Sequence, residues 1–443
     1  MMEKDAAQND TFYDIHMHAF NLSHPSFNAF IKRIKISAFP LLIGVLLSPL
    51  LMLLLPFLLF LPALPRVISY FTDRLLSKVR NLLCVMESDI GSFFLIIENC
   101  LRESSNPILK SDGLHIGDMT YQKIVLTPLM MDFGLKSRRI DKTIHYQPSE
   151  KPIVSQVVDV FNAIRKYRNS IYTVRLAGKF PNLVVGTGRI MEIYPFLGLN
   201  TANYDKNDLE VMLEKYFRNY QRTREAFLEK LGRFDGDIEN MDSNFFAGIK
   251  LYPPLGFDPW PENDKAFLKV DFLYRYCDSK RIPITCHGST GGFVTVSPRQ
   301  KKRFTDLSKW KKVMEKYKTL KLNLAHFPAN GKRLGFLPPA EKNRLNDMLF
   351  LVQKYDNVYV DFSNRATGDK YYRCLKDVIE NQPDDAKRKK LNERILFGTD
   401  FCVNLFSIES YNRYVQEFIN TEHLDARQKR LFCSVNPQRF LFD

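Results

Sequence analysis

The sequence predicts a parallel α/β fold, in its most specific form a (β/α)8 TIM barrel with a long, partly hydrophobic insertion after the first strand. Three observations predict it. Short apolar runs alternate with charged amphipathic stretches along most of the chain. Eight such runs can be marked out, the number a closed barrel needs. Histidines recur where the runs end. At 443 residues, 45% of them hydrophobic, the chain can bury a large core and is not a disordered one.

The runs are "FYDIHMHA" (12–19), "KIVLTPLMM" (123–131), "NLVVGTGRI" (182–190) and "FAGIKLYP" (246–253). Then follow "IPITCHG" (282–288), "LKLNLAHF" (320–327), "VYVDFS" (358–363) and "RILFGTDF" (394–401). They are rich in β-branched and aromatic residues and often stop at Gly or Pro, as strands do. Amphipathic stretches such as 207–231 and 301–318 lie between them and read as helices. A doubly wound open sheet is the alternative, but no GxGxxG follows the first run to support a dinucleotide-binding version. The barrel is expected over 1–20 and 123–443, and the insertion over 21–122, with helix around 69–102. Residues 104–118 and 132–149 read as elaborate loops.

The insertion holds an uncharged stretch, 36–65, longer than the roughly 20 residues a membrane helix needs. Five prolines (Pro40, Pro49, Pro56, Pro62, Pro65) break it, so one straight span is not expected. Lys32, Arg33 and Lys35 precede it; Arg66, Arg74, Lys78 and Arg80 follow it. Basic flanks at both ends put both ends on the cytoplasmic side, as a re-entrant or interfacial element on an anionic membrane surface. One barrel cannot lie on both sides of a membrane, which argues the same way. The alternative is a dry element packed within a homo-oligomer. The net charge of +15 carries no nucleic-acid signature: the Lys/Arg clusters at 136–142, 300–303 and 386–390 are scattered and read as solvated faces. Seven cysteines, an odd number with no CxxC pair, fit a reducing compartment.

Barrel sites gather at the C-terminal ends of the strands. Four of the eight histidines fall there: His16 and His18 on the first run, His287 on the fifth and His326 on the sixth. Lys250 stands on the fourth run and Asp400 on the eighth. Side chains at i and i+2 share a face, so His16 and His18 point together; with His287 inward, Cys286 faces the helices. Imidazole and carboxylate suit Zn2+ or another divalent metal, which brings the pKa of bound water down to about 7. Tyr252, Asn330 and Arg365, near strand ends, are candidates for touching substrate. Asp132 reads as a loop cap as readily as a site group, and His24, His115, His145 and His423 as loop or surface residues.

The ordered set of HxH, "GIKLYP", "PITCHG", "LAHFPANG" and "LFGTDF" resembles the amidohydrolase superfamily, and within it the amidohydrolase-related branch that includes aminocarboxymuconate semialdehyde decarboxylase. The closing "NPQRFL" (436–441) is similar to that branch's N-x-x-R-hydrophobic ending, where Asn436 can cap a helix and Pro437 occupy its first turn. The resemblance runs from about residue 12 to the end, omitting most of 21–122, and implies the following roles. His16, His18, His287 and Asp400 hold one metal, and His326 polarises substrate or moves a proton. A second ion is implied if Lys250 is carboxylated. The implied activity is a metal-dependent hydrolase that uses metal-activated water to cleave an amide, ester or lactone, with Asp400 shuttling the proton. Its small-molecule substrate could be lipophilic, since the insertion leaves the barrel on the active-site face. Relatives with this shell also perform non-oxidative decarboxylation or hydration of small carboxylic acids; decarboxylation wants a cation near the carboxylate, and Arg189 and Arg365 lie near strand ends. A non-catalytic membrane scaffold is the remaining alternative.

Overall fold

The computed structural model describes residues 11–25, 29, 80–87, 89–103, 106–134, 151–177, 180–185, 188–329 and 339–443. The uncharged stretch 36–65, residues 135–150 and Asn330 lie outside these. No helix among the described residues is long and apolar enough to cross a membrane.

The chain opens with β1 (Thr11–Met17), fully buried along its length. Before the next large strand come a helix, Phe93–Glu103, and a small antiparallel sheet of β2 (Leu109–Lys110), β3 (Gly113–Ile116) and β4 (Met119–Tyr121). Part of the expected loop 104–118 therefore forms β2 and β3. The helix buries Phe93, Phe94, Ile97 and Leu101, an i, i+3/i+4 stripe that fixes which face meets the core. Then follow β5 (Lys123–Pro128), helix Ile153–Asn169, a hairpin of β6 (Tyr172–Ala177) and β7 (Phe180–Val185), β8 (Met191–Ile193) and β9 (Phe196–Gly198). From there strands and helices alternate: β10 (Gly248–Leu251), β11 (Ile284–Cys286), β12 (Leu322–Leu324), β13 (Val358–Asp361) and β14 (Ile395–Leu396). Helices Asp264–Lys280, Ser308–Lys316, Pro339–Lys354 and Asp369–Glu380 lie between them.

All pairings among β1, β5 and β8 to β14 are parallel. One sheet has the order β1-β5-β8, the other β14-β13-β12-β11-β10-β9. The sheets touch at both ends. Leu129, just past β5, bridges to Phe196 of β9, and the Ile15 N–H of β1 donates to the Phe397 carbonyl just past β14 at 3.1 Å.

The third expected strand, 182–190, is a correction. Residues 180–185 pair antiparallel with β6 in a separate hairpin, and the strand position beside β5 and β10 is taken by β8 and β9. Pro195 separates those two pieces. A proline demotes a run as a strand, whereas "NLVV" has strong local strand character and no competitor nearby.

The last helix, Asn436–Phe442, is pinned by its first residue. Asn436 has helical backbone angles and is not the N-cap of this helix, a position that Val435 holds. Its Nδ2 donates to the Asn392 and Ile395 carbonyls, both at 2.8 Å. Phe440 and Leu441 then pack with Tyr13, Ile15, Phe196, Tyr359 and Leu396 from the strands. Asn436→Ala should leave the Asn392 carbonyl, at the end of helix Asp385–Asn392, and the Ile395 carbonyl, at the start of β14, without that donor and lower stability by about 1–3 kcal/mol in denaturant melts. No change in midpoint would refute the pin.

Candidate metal centre

Asp400 and His326 both have positive φ, 62° and 66°, where few non-glycine residues sit. The chain leaves β14 and β12 sharply at these points. Main-chain bonds hold the turns: the Asp400 N–H donates to the His16 carbonyl at 2.6 Å, and the His326 N–H to Asp361 Oδ1 at 3.2 Å.

His16, His18 and Asp400 come together. His18 Nε2 lies 3.1 Å and His16 Nε2 3.3 Å from the same oxygen, Asp400 Oδ1. The far side of each ring decides what faces that oxygen. His18 Nδ1 lies 2.8 Å from the Leu129 carbonyl, which can only accept, so Nδ1 carries the proton. Burial lowers the pKa of His18, keeping it neutral. Its Nε2 lone pair therefore points at a carboxylate oxygen, two acceptors with no proton between them. A cation between them would satisfy both lone pairs. His16 Nδ1 is likewise committed, at 3.0 Å, to Asp361 Oδ2. Burial and Lys250 pull the His16 pKa down, but the carboxylates Asp361 and Asp400 more than offset them and raise it. Burial would raise the Asp400 carboxyl, yet the imidazoles gathered around it, His16, His18 and His326, hold it well below the usual range. Two imidazoles, each oriented from behind, and one carboxylate fit a divalent metal. Lys250 Nζ stands 3.4 Å from His16 Nε2, its pKa pushed down to about 8 by burial.

His287 is placed differently from the other expected ligands. Its Nδ1 lies 2.9 Å from His326 Nε2, and its Nε2 lies 3.0 Å from the Gly291 carbonyl. His326 Nδ1 in turn lies 3.0 Å from the Ser363 carbonyl. Burial pushes His326 down to about 3 and His287 well below its ordinary value, so both rings are neutral. This run has three contacts but only two ring protons, leaving one contact without a hydrogen to share. His18, His287, His326 and Asp400 all line one cavity of about 460 Å3.

Tyr252 and Arg365 also line that cavity. The Tyr252 ring stacks on His287 at 4.2 Å, and the Arg365 guanidinium lies 3.4 Å from Glu341. Arg189 stands elsewhere, 3.5 Å from Glu98. Cys286 is buried, its thiol pushed up to about 12 by burial, and is no nucleophile. Asp132 stitches a loop, accepting from Gly134, Asn200 and Asn203. His24 lies in a loop, as expected, but is fully buried there and bonds Asp159 at 3.0 Å, because the loop after β1 folds onto helix Ile153–Asn169.

Sequence reasoning missed Asp361. This wholly buried carboxylate at the end of β13 accepts from His16 Nδ1, Asn323 Nδ2, Ser363 Oγ and the Ser363 and His326 N–H groups. A lone carboxylate in "VYVDFS" was the available signal. Asp361 also forms, with His16 and His326, a second set of groups close enough to share an ion. Its five donors already satisfy it, whereas Asp400 opens on the cavity.

Residues 234–442 match the family model described as amidohydrolase. No curated protein sequence matches the chain. Among solved structures it is similar to a variant of 5-carboxyvanillate decarboxylase from Novosphingobium aromaticivorans with bound manganese: 12% identity, 97% of each chain covered, TM-score 0.42. It is also similar to 4-oxalomesaconate hydratase from Rhodopseudomonas palustris, with 12% identity over 97% of this chain and 95% of that one, TM-score 0.39. A probable 2-pyrone-4,6-dicarboxylic acid hydrolase from Acinetobacter baumannii shares 13% identity over 72% of this chain and 98% of that one, TM-score 0.37. Likenesses this loose assign no chemistry.

Proposed function

The chain belongs to the amidohydrolase superfamily of enzymes, and from that premise we propose a metal-dependent hydrolase that adds water to the carbonyl carbon of an amide, ester or lactone. The observation that carries the reading is the His18 lone pair facing Asp400 beside His16, all at strand ends. The hydrogen bonds joining the two parallel sheets at both ends support the closed (β/α)8 barrel that would hold this site at its mouth.

His16, His18 and Asp400 would hold one divalent ion, which when bound supplies Lewis acidity and lowers the pKa of a neighbouring water toward about 7. His287 is the fourth ligand of the family pattern and serves only by giving up its contact with His326. That exchange also frees His326 Nε2 to face substrate, so the two roles are coupled. His326, neutral at pH 7 with its Nδ1–H directed at the Ser363 carbonyl, presents a lone pair at Nε2 and acts as a proton acceptor, not as a cationic acid. Asp400, anionic and open to the cavity, accepts the proton of water and returns it to the leaving group. Arg365 in the cavity wall favours a second reading, decarboxylation or hydration of a small carboxylic acid gripped by that guanidinium.

Metal analysis of the purified protein, with a panel of amides, lactones and aromatic acids, tests the proposal. About one ion per chain is expected, and a chelator should lower Tm until the metal is restored. Lys250→Met should keep that ion, because Lys250 is no ligand in a one-ion site; two ions falling to one would establish a carboxylated, bridging lysine instead. A metal-free protein with unchanged Tm would end the proposal. Membrane association of 36–65 rests on its composition and basic flanks, and equal flotation with liposomes of the intact chain and a version lacking 36–65 would remove it.

A further inference from the structure

A second cavity, of about 600 Å3, lies where the strands begin, at the opposite end from His326 and Asp400. Arg281 comes shortly before β11, Lys321 directly before β12 and Arg394 directly before β14. Among the described residues its lining carries seven Lys and Arg side chains against three carboxylates. One of those carboxylates, Asp356, is engaged by Lys390 at 2.7 Å. One of the cations, Lys354, reaches Glu315 at 3.5 Å. The other six (Arg222, Arg281, Lys318, Lys321, Arg394 and Arg439) form no ion pair with a carboxylate side chain among the described residues.

Two of these charges are held by main-chain carbonyls, which orient a cation without neutralising it. Lys321 Nζ donates to the Arg439 carbonyl at 2.8 Å and Arg394 Nε to the Asp356 carbonyl at 2.6 Å, while Arg222 bonds the backbone carboxylate of Asp443. Lys321 is 7% exposed. Burial first, then Arg222, Arg281 and Arg394, push its ammonium down to about 7, with Asp443 opposing. A solvated basic face does not bury a lysine among arginines. An apolar side chain would be less costly there, so the arrangement is explained by something that compensates it.

We propose that this cavity binds a compact multivalent phosphorylated anion, at a site separate from the metal centre. Guanidinium forks match phosphate oxygens in pairs and an ammonium adds a point charge, so the residue types suit phosphate over a monovalent anion. The volume suits a small phosphorylated molecule or a phosphorylated lipid headgroup.

The test uses the intact chain. Pyrophosphate is titrated calorimetrically, with sodium sulfate at matched ionic strength as the control. In parallel, the chain is floated with vesicles containing phosphatidylinositol bisphosphate and with phosphatidylserine vesicles of equal charge. Saturable pyrophosphate binding at least about tenfold tighter than sulfate, or capture by phosphoinositide vesicles over phosphatidylserine ones, is expected. The first outcome assigns a soluble ligand and the second a headgroup. Lys321→Met removes a buried charge, and Arg281→Gln keeps a polar side chain, so neither endangers folding. Each should weaken the observed binding by about tenfold or more and leave metal content unchanged. Either variant binding as tightly as the unaltered chain, or no preference over sulfate and phosphatidylserine, overturns the proposal.

Discussion

Asp400→Asn should leave the purified protein without its ion and without activity. Asparagine tolerates the left-handed backbone that Asp400 adopts, so the change tests charge rather than strain. It removes the one carboxylate on which the His16 and His18 Nε2 atoms converge. An amide donor could then satisfy His18, and the demand for a cation disappears. Metal content should fall to less than about a tenth of the unaltered value, and kcat by on the order of 10^3-fold or more, as when one member of a catalytic unit is lost. His16→Ala should do the same. An Asp400→Asn protein that keeps its ion at full stoichiometry would sink the metal centre described above.

Asp361→Ala should have the largest effect on stability. It strands five hydrogen-bond donors in a site with no access to water. Removing one partner of a buried charged network lowers stability by about 3–5 kcal/mol. In a chain of this size that is a fall in Tm of roughly 3–5 °C. It should also loosen the ion by roughly 10–100-fold, because the His16 tautomer is no longer fixed from behind. Thermal melts with and without added metal separate the two effects: excess metal should recover loading but not the whole of Tm. A variant melting like the unaltered protein would show that Asp361 is not the hub the hydrogen bonds describe.

The parallel α/β class was legible because apolar runs and amphipathic stretches alternate so regularly. His16, His18, Lys250, His287, His326 and Asp400 stood out because polar residues at the ends of such runs need a reason to be there. Asp361 was illegible for a related reason: it looks like the end of a strand, and only the folded chain shows how many donors surround it. Lys321 is the same case at the other end of the sheet. In "LKLNLAHF" it reads as a solvent-facing flank, whereas Arg222 and Arg439, far away in sequence, enclose it. The third strand failed differently, because Pro195 hides a strand continued on both sides of it. Pairing partners 385 positions apart, such as Asp14 and Thr399, leave no local trace at all.

That last separation bears on how the enzyme is made. Asp14 accepts from the Thr399 N–H and hydroxyl at 3.0 and 2.6 Å, and His16 meets Asp400 beside them. The ribosome releases the earlier partner first and, at about 5–20 residues per second, needs roughly 20–80 s to deliver the later one. A nascent chain halted before β14 therefore has two orphan imidazoles and no pocket to load. On the proposed metal centre, loading would wait for the finished polypeptide and so report on completed synthesis rather than scaffold it.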